Sequence, residues 1–257
     1  MAVYTVALPK GGSTKSTTAT EIAVYLARHG SHVLAVDLDQ QGNLSARLGI
    51  TPDTPLAGTT AGVLDSSVSL TDAAEPAPSV AGVDVLVGGD DLAATEEQPP
   101  ADLVTSLRDM LPGVTDRWDD VVIDTPPDVH QITLTGLAAA DHVVVSMTGT
   151  TEAYDQIDRL EAVIDGRLRP RVRPGLRIDS IIPTSIDLRR RIDREVLAQV
   201  RERFGDLVTP HVRQAVAVRD AYTAGLPVSL YDPDSEVAAD YTAAIDHLMA
   251  TTKGDVR

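Results

Sequence analysis

The sequence predicts a single doubly wound α/β sheet, mainly parallel, with helices on both faces. Three observations carry that prediction. Short apolar runs alternate with helical patterns from the first residue to about residue 250, with no long linker between them. Three of those runs end in residues suited to phosphate or a cation: Val3 to Leu8 before a glycine turn, Val33 to Val36 before Asp37 and Asp39, and Val121 to Ile123 before Asp124. Open parallel sheets hold ligands beyond the carboxyl ends of their strands, so the three endings are expected to meet at one site. A length of 257 residues accommodates one such domain, taken as 1–257.

The first strand feeds Pro9-Lys10-Gly11-Gly12-Ser13-Thr14-Lys15-Ser16-Thr17, and Ile22, Ala23, Leu26 and Ala27 then repeat with helical spacing. A strand, a glycine-rich turn and a helix opening on Lys-Ser is the arrangement of a phosphate-binding loop. Free backbone N–H groups and the positive end of the helix dipole favour a polyphosphate there. Lys15 is placed to reach β- and γ-phosphates, and the Ser16 hydroxyl to ligate Mg²⁺. The bland alternative is a glycine turn with a chance lysine. The usual pattern G-x-x-x-x-G-K-[ST] fails twice, at Pro9 and at Thr14. A β-branched residue before the loop lysine is unfavourable if the backbone needs positive φ. Either Thr14 is strained, or the loop has shifted so that its hydroxyl caps the helix or touches a phosphate.

The second strand, Val33-Leu34-Ala35-Val36, runs into Asp37-Leu38-Asp39-Gln40-Gln41-Gly42-Asn43, and the strand Val121-Val122-Ile123 runs into Asp124-Thr125-Pro126-Pro127. Each taken alone reads better as an ordinary buried strand ending in a solvated acid. Residues 51–82 are rich in Thr, Ser, Ala, Pro and Gly and are expected to form a surface insertion. Cysteine is absent, which excludes disulfides and cysteine-held clusters and suits a reducing cytoplasm. No apolar span reaches 18 residues, and a signal sequence is not expected, because the first strand starts at once. The six histidines lack ligand spacing and read as surface or core residues.

The net charge is −16, yet there are only three lysines, and two of them, Lys10 and Lys15, lie in the loop. Aspartate outnumbers glutamate 29 to 9, a balance that resembles a protein of a salt-loving archaeon, with a high-GC bacterium as rival source. Charge is unevenly spread: residues 159–219 carry 14 arginines against 8 acids, leaving the remainder strongly acidic. Arg189-Arg190-Arg191 with Arg213 and Arg219 reads as a basic surface for nucleic acid. The alternative is a solvated face laced with ion pairs, since Asp187, Asp193, Glu195 and Glu202 lie among the arginines.

Lys10 before Gly11-Gly12, the Asp37 to Asn43 stretch and the Asp124 strand together resemble, in order and spacing, the deviant Walker A ATPases of the ParA/MinD superfamily. In that family the first loop glycine is also missing, so Pro9 fits; Thr14, and Gln40 in place of a proline, depart from its pattern. Asp84 to Leu92, Leu134 to Ser146, and Ala224 to Val228 with Leu230 to Pro233 extend the resemblance over most of the chain. It implies an ATP and Mg²⁺ site cradled by Lys10, Gly11, Gly12, Ser13, Thr14, Lys15, Ser16 and Thr17. Lys10 is implied to cross the interface of an ATP-sandwich homodimer, while Asp39 orients the attacking water beside the metal. Asp124 supports the metal through water, and Asp37 is a structural strand-end acid. Adenine contacts are implied near 183–187 and 209–217.

The implied function is slow, partner-stimulated hydrolysis that positions DNA or another cargo. The dimer binds non-specific DNA through arginines such as Arg189, Arg190, Arg191, Arg213 and Arg219, and a ParB-like activator releases it. The expected location is the cytoplasm, on the nucleoid. A MinD-like membrane helix is not expected, because the C-terminal pattern carries Asp240 and Asp246 and ends with only Lys253 and Arg257 as basic residues. An N-terminal helix-turn-helix is likewise not expected, because the loop begins as early as Lys10. Two rivals stay open: a nucleotide-dependent biosynthetic enzyme, and an ATP-binding dimerisation switch with little hydrolysis.

Overall fold

In the computed structural model, which describes residues 1–12 and 14–252, strands and helices alternate as the sequence predicts. The chain runs through β1 (Ala2–Val6), α1 (Lys15–Arg28), β2 (Val33–Asp37), α2 (Asn43–Arg47), α3 (Thr60–Leu64), α4 (Leu70–Ala73), β3 (Glu75–Pro76) and β4 (Val83–Leu86). It continues with α5 (Leu92–Glu97), α6 (Leu103–Met110), β5 (Asp120–Asp124), α7 (Gln131–Ala139), β6 (His142–Thr148) and α8 (Thr151–Val163). The last elements are β7 (Ile178–Thr184), α9 (Arg191–Phe204), α10 (Ala217–Thr223), α11 (Val228–Tyr231) and α12 (Glu236–Thr252). Ser13, Lys253 and Arg257 lie outside the described residues.

The seven strands are ordered β3-β4-β2-β5-β1-β6-β7, parallel except for β3 against β4. Strand side chains alternate between faces. Tyr4, Val6, Val33, Ala35 and Val122 pack with Ile22 and Leu26 of α1 and Ile245 and Leu248 of α12. Leu34, Val36, Val121 and Ile123 point the other way, onto Leu103 and Leu107 of α6 and Ile132 of α7. A third cluster joins Val143 and Val145 of β6 to Leu160 of α8 and Val200 of α9. Full burial of one such aliphatic side chain is worth about 1.5–3 kcal/mol, so the core, rather than the polar site, holds the strand ends in place.

Within residues 51–82, where a surface insertion is expected, residues 51–57 are largely exposed and two short helices follow. Thr59 and Ser69 cap α3 and α4, accepting from the N–H groups of Gly62 and Asp72. Ala61, Val63, Leu64, Leu70, Ala73 and Ala74 are then buried in the second core cluster. Helices of five and four residues are too short to show amphipathic periodicity in a Thr/Ser/Ala-rich sequence, which is why the segment reads as loop. Near the other end of the chain, Glu21 of α1 accepts from the N–H of Val228 at 2.7 Å, which explains the Gly225-Leu226-Pro227-Val228 stretch: α11 is docked on a buried carboxylate. Among the described residues no helix is long and apolar enough to cross a membrane.

Candidate functional site

Register builds the site. Asp124 of β5 pairs with Val6 of β1 on one side and Asp37 of β2 on the other, so the three strand endings lie level across the sheet. Beyond them opens a cleft of about 890 Å³, lined by Gly11, Gly12, Lys15, Ser16, Thr17 and Asp39 on one side and Ser185 and Gln214 to Val216 on the other. Gly12 takes φ of +70°, and added Cβ atoms at Gly11 and Gly12 would meet nothing within 4 Å, so the turn presents bare backbone to the cleft. Gly88 has the opposite reason to be glycine. A Cβ there would lie 2.8 Å from the carbonyl oxygens of Asp37 and Asp39, so β4 can abut the turn that carries Asp39 only without a side chain.

Thr14 sits at φ 63°, ψ 20°, the left-handed conformation foreseen as strained. Its hydroxyl does not cap α1. Instead it hydrogen-bonds with the hydroxyls of Ser146, at 3.1 Å, and Thr184, while Thr18 also bonds Ser146 at 2.9 Å. Thr184 donates in turn to the carbonyl of Met147 at 3.1 Å. The loop is thereby fastened to the ends of β6 and β7. The sequence reading missed Ser146 and Thr184 because the connection spans 132 and 170 residues; hydroxyls at two apolar strand ends were the available signal.

Lys15 is buried at the helix start and donates to the carbonyl of Lys10 at 3.1 Å. Burial pushes its ammonium below the usual lysine range, opposed by the carboxylates of Asp124, Asp39 and Asp128. Asp39 is buried, accepts from the N–H of Gln41 at 3.0 Å and donates its own N–H to Asp37 at 3.1 Å. Asp37 accepts in addition from the N–H and hydroxyl of Ser45, at 2.9 and 2.8 Å, and does not line the cleft. Burial pushes Asp37 up to about 6.

Asp124 is fully buried, and neither carboxylate oxygen has a hydrogen-bond donor at bonding geometry among the described residues. Burial first, then the charge of Asp37, pushes it up to about 8, while the Ser16 hydroxyl and Lys15 pull it down. An orphaned acid beside Ser16, facing a phosphate loop, fits a hydrated Mg²⁺.

Lys10 donates to Thr150 at 3.0 Å and to Glu152 at 2.7 Å, at the start of α8. This partner was not legible in the sequence, since 142 residues separate the pair. The rim arginines are also engaged. Arg189 makes two side-chain bonds to Asp187, Arg190 lies 3.6 Å from the same carboxylate, and Arg191 pairs with Glu195 at 2.6 Å. Arg213 pairs with Glu236 and Asp240 of α12. Arg219 lines the cleft with Arg213. The two stretches implied for adenine meet through a parallel bridge between Ile186 and Arg213. Histidine spacing gave no ligand set, but the fold brings exposed His130 together with half-buried Glu96 and Asp128, their ligand atoms within 4.8 Å of one another.

A phosphate loop at the head of a doubly wound sheet, with two acids at neighbouring strand ends, defines a P-loop nucleotide-binding protein. Residues 1–178 match the family model described as AAA domain. The chromosome partitioning protein ParA of Caulobacter vibrioides is 34% identical over 90% of this chain and 87% of its own length. The chromosome-partitioning ATPase Soj of Thermus thermophilus is 32% identical over 94% of this chain and 92% of its own. The chain belongs to the ParA/MinD family of ATPases. A structure from Mycobacterium smegmatis, described as cobyrinic acid a,c-diamide synthase with bound ATP analog and magnesium, covers 98% of this chain and 96% of its own with a TM-score of 0.82 at 29% identity. Apo McdA of Cyanothece superposes with a TM-score of 0.84 over 96% of this chain and 99% of its own; at 20% identity that likeness concerns the fold. These four relatives are bacterial and lend no support to the archaeal source that the composition suggests.

Proposed function

We propose that the protein is an ATP- and Mg²⁺-dependent positioning switch, which forms a nucleotide-sandwich dimer, holds DNA non-specifically and is released by hydrolysis when an activator protein engages it. The observation that supports this reading is the register that sets the end of β1, Asp124 and Asp37 level, with the loop and Asp39 lining the cleft beyond them. In it, the backbone from Gly11 to Thr14 and the Thr17 end of the turn cradle the phosphates, and Lys15 neutralises the β- and γ-oxygens. Ser16 and Asp124 hold Mg²⁺, with Asp39 alongside, and the metal offsets the phosphate charge. Asp39 orients the attacking water, its other oxygen steadied by Gln41. Lys10 leaves Glu152 to serve the nucleotide of a second copy. Catalysis of this kind is positioning and charge neutralisation, so turnover is slow until a partner completes the site. The acidic surface suits work at high salt, where a Debye length of about 3 Å leaves only close phosphate contacts effective.

Light scattering with Mg²⁺ and ATP tests the reading: the wild-type mass should double, while Lys10→Ala should bind nucleotide yet stay monomeric. Normal dimerisation of Lys10→Ala would remove the deviant-loop role. A second reading, a biosynthetic ligase or amidase, is favoured by the 29% likeness to the Mycobacterium smegmatis protein. ATP turnover that demands a small acid or amine, rather than responding to DNA and an activator, would select it. A third, a dimerisation switch with scant hydrolysis, is favoured by the left-handed Thr14, and would appear as ATP binding without measurable phosphate release.

A further inference from the structure

The nucleotide cleft extends past Thr17 into a recess bounded by α1, α2, α10 and α12, and at its wall stands Arg47, the last residue of α2. The Nε and Nη1 atoms of Arg47 are buried without a hydrogen-bond partner among the described residues. Its guanidinium carbon lies 4.7 Å above the centre of the Tyr222 ring. The Tyr222 hydroxyl donates to Asn43 Oδ1 at 3.0 Å, which fixes the ring from the same short helix that carries Arg47. Stacking satisfies the face of a guanidinium; it leaves the in-plane donors of Nε and Nη1 unanswered. The buried acids of this neighbourhood, Glu21 and Asp124, act on the guanidinium through charge but accept no hydrogen bond from its Nε or Nη1 among the described residues. Glu21 is fully buried, and its Oε1 is taken by the N–H groups of Val228, at 2.7 Å, and Ser229, at 3.4 Å.

A guanidinium keeps its charge in proteins, and a charge buried without a counter-ion or hydrogen bonds is costly. A site that fixes such a group by aromatic stacking at the wall of a cleft, with no acid at hydrogen-bonding distance, suits an anion brought by a ligand. The planar, multidentate donor set of arginine matches the oxygens of a phosphoryl group. Tyr222, Asn43 and Tyr241, which also line the recess, offer no second positive charge. The rim arginines make the contrast, since each of Arg189, Arg191 and Arg213 already has a carboxylate within 2.9 Å.

We propose that Arg47, stacked on Tyr222, is a phosphoryl-oxyanion subsite of the cleft, separate from the phosphate loop. Its oxyanion comes either from a phosphate of the bound nucleotide or from a free phosphate that enters the recess beside it. The first source rests on the nucleotide reading above; the second does not.

Calorimetric titration of the full chain with Mg²⁺ADP, adenosine and inorganic phosphate, the last with and without ADP, separates these sources. Arg47→Met keeps the stem that covers Tyr222 and removes charge and donors; Arg47→Lys keeps the charge but not the planar donor set. If the nucleotide supplies the oxyanion, Arg47→Met should weaken ADP about tenfold or more, the scale of one hydrogen bond to a charged group, and leave adenosine unchanged. If free phosphate supplies it, Arg47→Met should abolish phosphate binding to the ADP-loaded protein and leave ADP affinity intact. Arg47→Lys should fall between wild type and Arg47→Met in whichever arm responds, and it carries the test if the methionine variant does not fold. ADP and phosphate affinities within twofold of wild type, in variants that melt no lower than wild type, would overturn the proposal. Failure of the nucleotide reading looks different: wild type and Lys15→Ala would both ignore ADP, and the phosphate arm would still decide the role of Arg47.

Discussion

The floor of the cleft and its arginine-rich rim hold positive charge in opposite ways. At the floor, Lys15 and Arg47 are withdrawn from water and face a space that a ligand can fill. At the rim, Arg189, Arg190 and Arg191 are exposed and Arg213 is half-buried, yet acids answer them: Asp187, Glu195, Glu236 and Asp240. Two of those acids, Glu236 and Asp240, lie outside the basic segment, on α12. The excess of arginine over acid counted along residues 159–219 is therefore not the charge that the folded surface presents. Exposed pairs of this kind are worth little, at a median of about 0–1 kcal/mol, because water already solvates both members. Buried charge has no such buffer. Changes at the floor should move chemistry by orders of magnitude, and changes at the rim by much less.

The largest effect is expected at Asp39. Asp39→Ala keeps the loop and Asp124 but removes the carboxylate that orients water, so single-turnover hydrolysis should fall about 10²-fold or more while ATP still binds. Unchanged hydrolysis would mean that the floor works without it.

Asp124→Asn comes next. A carboxyl pushed up to about 8 by burial, against an ordinary value near 3.8, favours its protonated form in the fold. Its contribution to stability is therefore greatest at low pH and is lost as pH rises toward 8, because the unfolded chain releases that proton far earlier. In the nucleotide-free protein at pH 8, the amide should raise stability by about 1–3 kcal/mol, the scale of an unsatisfied buried polar group. It should also flatten the decline between pH 5 and 8 and remove the Mg²⁺ dependence of nucleotide affinity. Thermal melts across that range, with and without Mg²⁺ADP, give all three. A wild-type profile for the amide would place the metal elsewhere.

Thr14 sharpens the comparison within the floor itself. A non-glycine residue in the left-handed region costs about 1–3 kcal/mol when the fold enforces it, and here three hydroxyls do the enforcing. Thr14→Val keeps the strain and loses the bonds, so it should lower the melting temperature and weaken ATP. Thr14→Gly loses the bonds but also relieves the strain, and should lie close to wild type or bind ATP more tightly. Equal behaviour of valine and threonine would remove the hydroxyl cluster as the cause.

The smallest effect is assigned to the rim. Reversing Arg189, Arg190 and Arg191 to glutamate should leave DNA-free ATPase activity unchanged. DNA retention should weaken several-fold for all sequences alike, with a shallower slope of log affinity against log salt. Because Asp187 and Glu195 already answer these arginines, a rim that binds DNA must trade those acids for phosphates. DNA retention identical to wild type would leave the rim as ion-paired surface.

The amino-acid sequence by itself determined the alternation that makes this a doubly wound sheet, and it located the turn from Lys10 to Thr17 and the acids at the strand ends. Those signals are local: apolar period, glycine in a turn and an acid at a strand end are written in adjacent residues. It also exposed Thr14 as a departure, since the conformational demand of that turn position is local too. Tertiary structure decided the rest. Register set Asp37 and Asp124 level with the end of β1, and the sheet order brought Ser146 and Thr184 against Thr14. Folding turned Lys10 onto Glu152, buried the short turns of 60–73, and paired Arg213 with acids of α12. It left Arg47 unanswered over Tyr222. Each of these joins residues far apart in the chain, and the strength of a charge or a hydroxyl depends on what the core packs beside it, which no local pattern records.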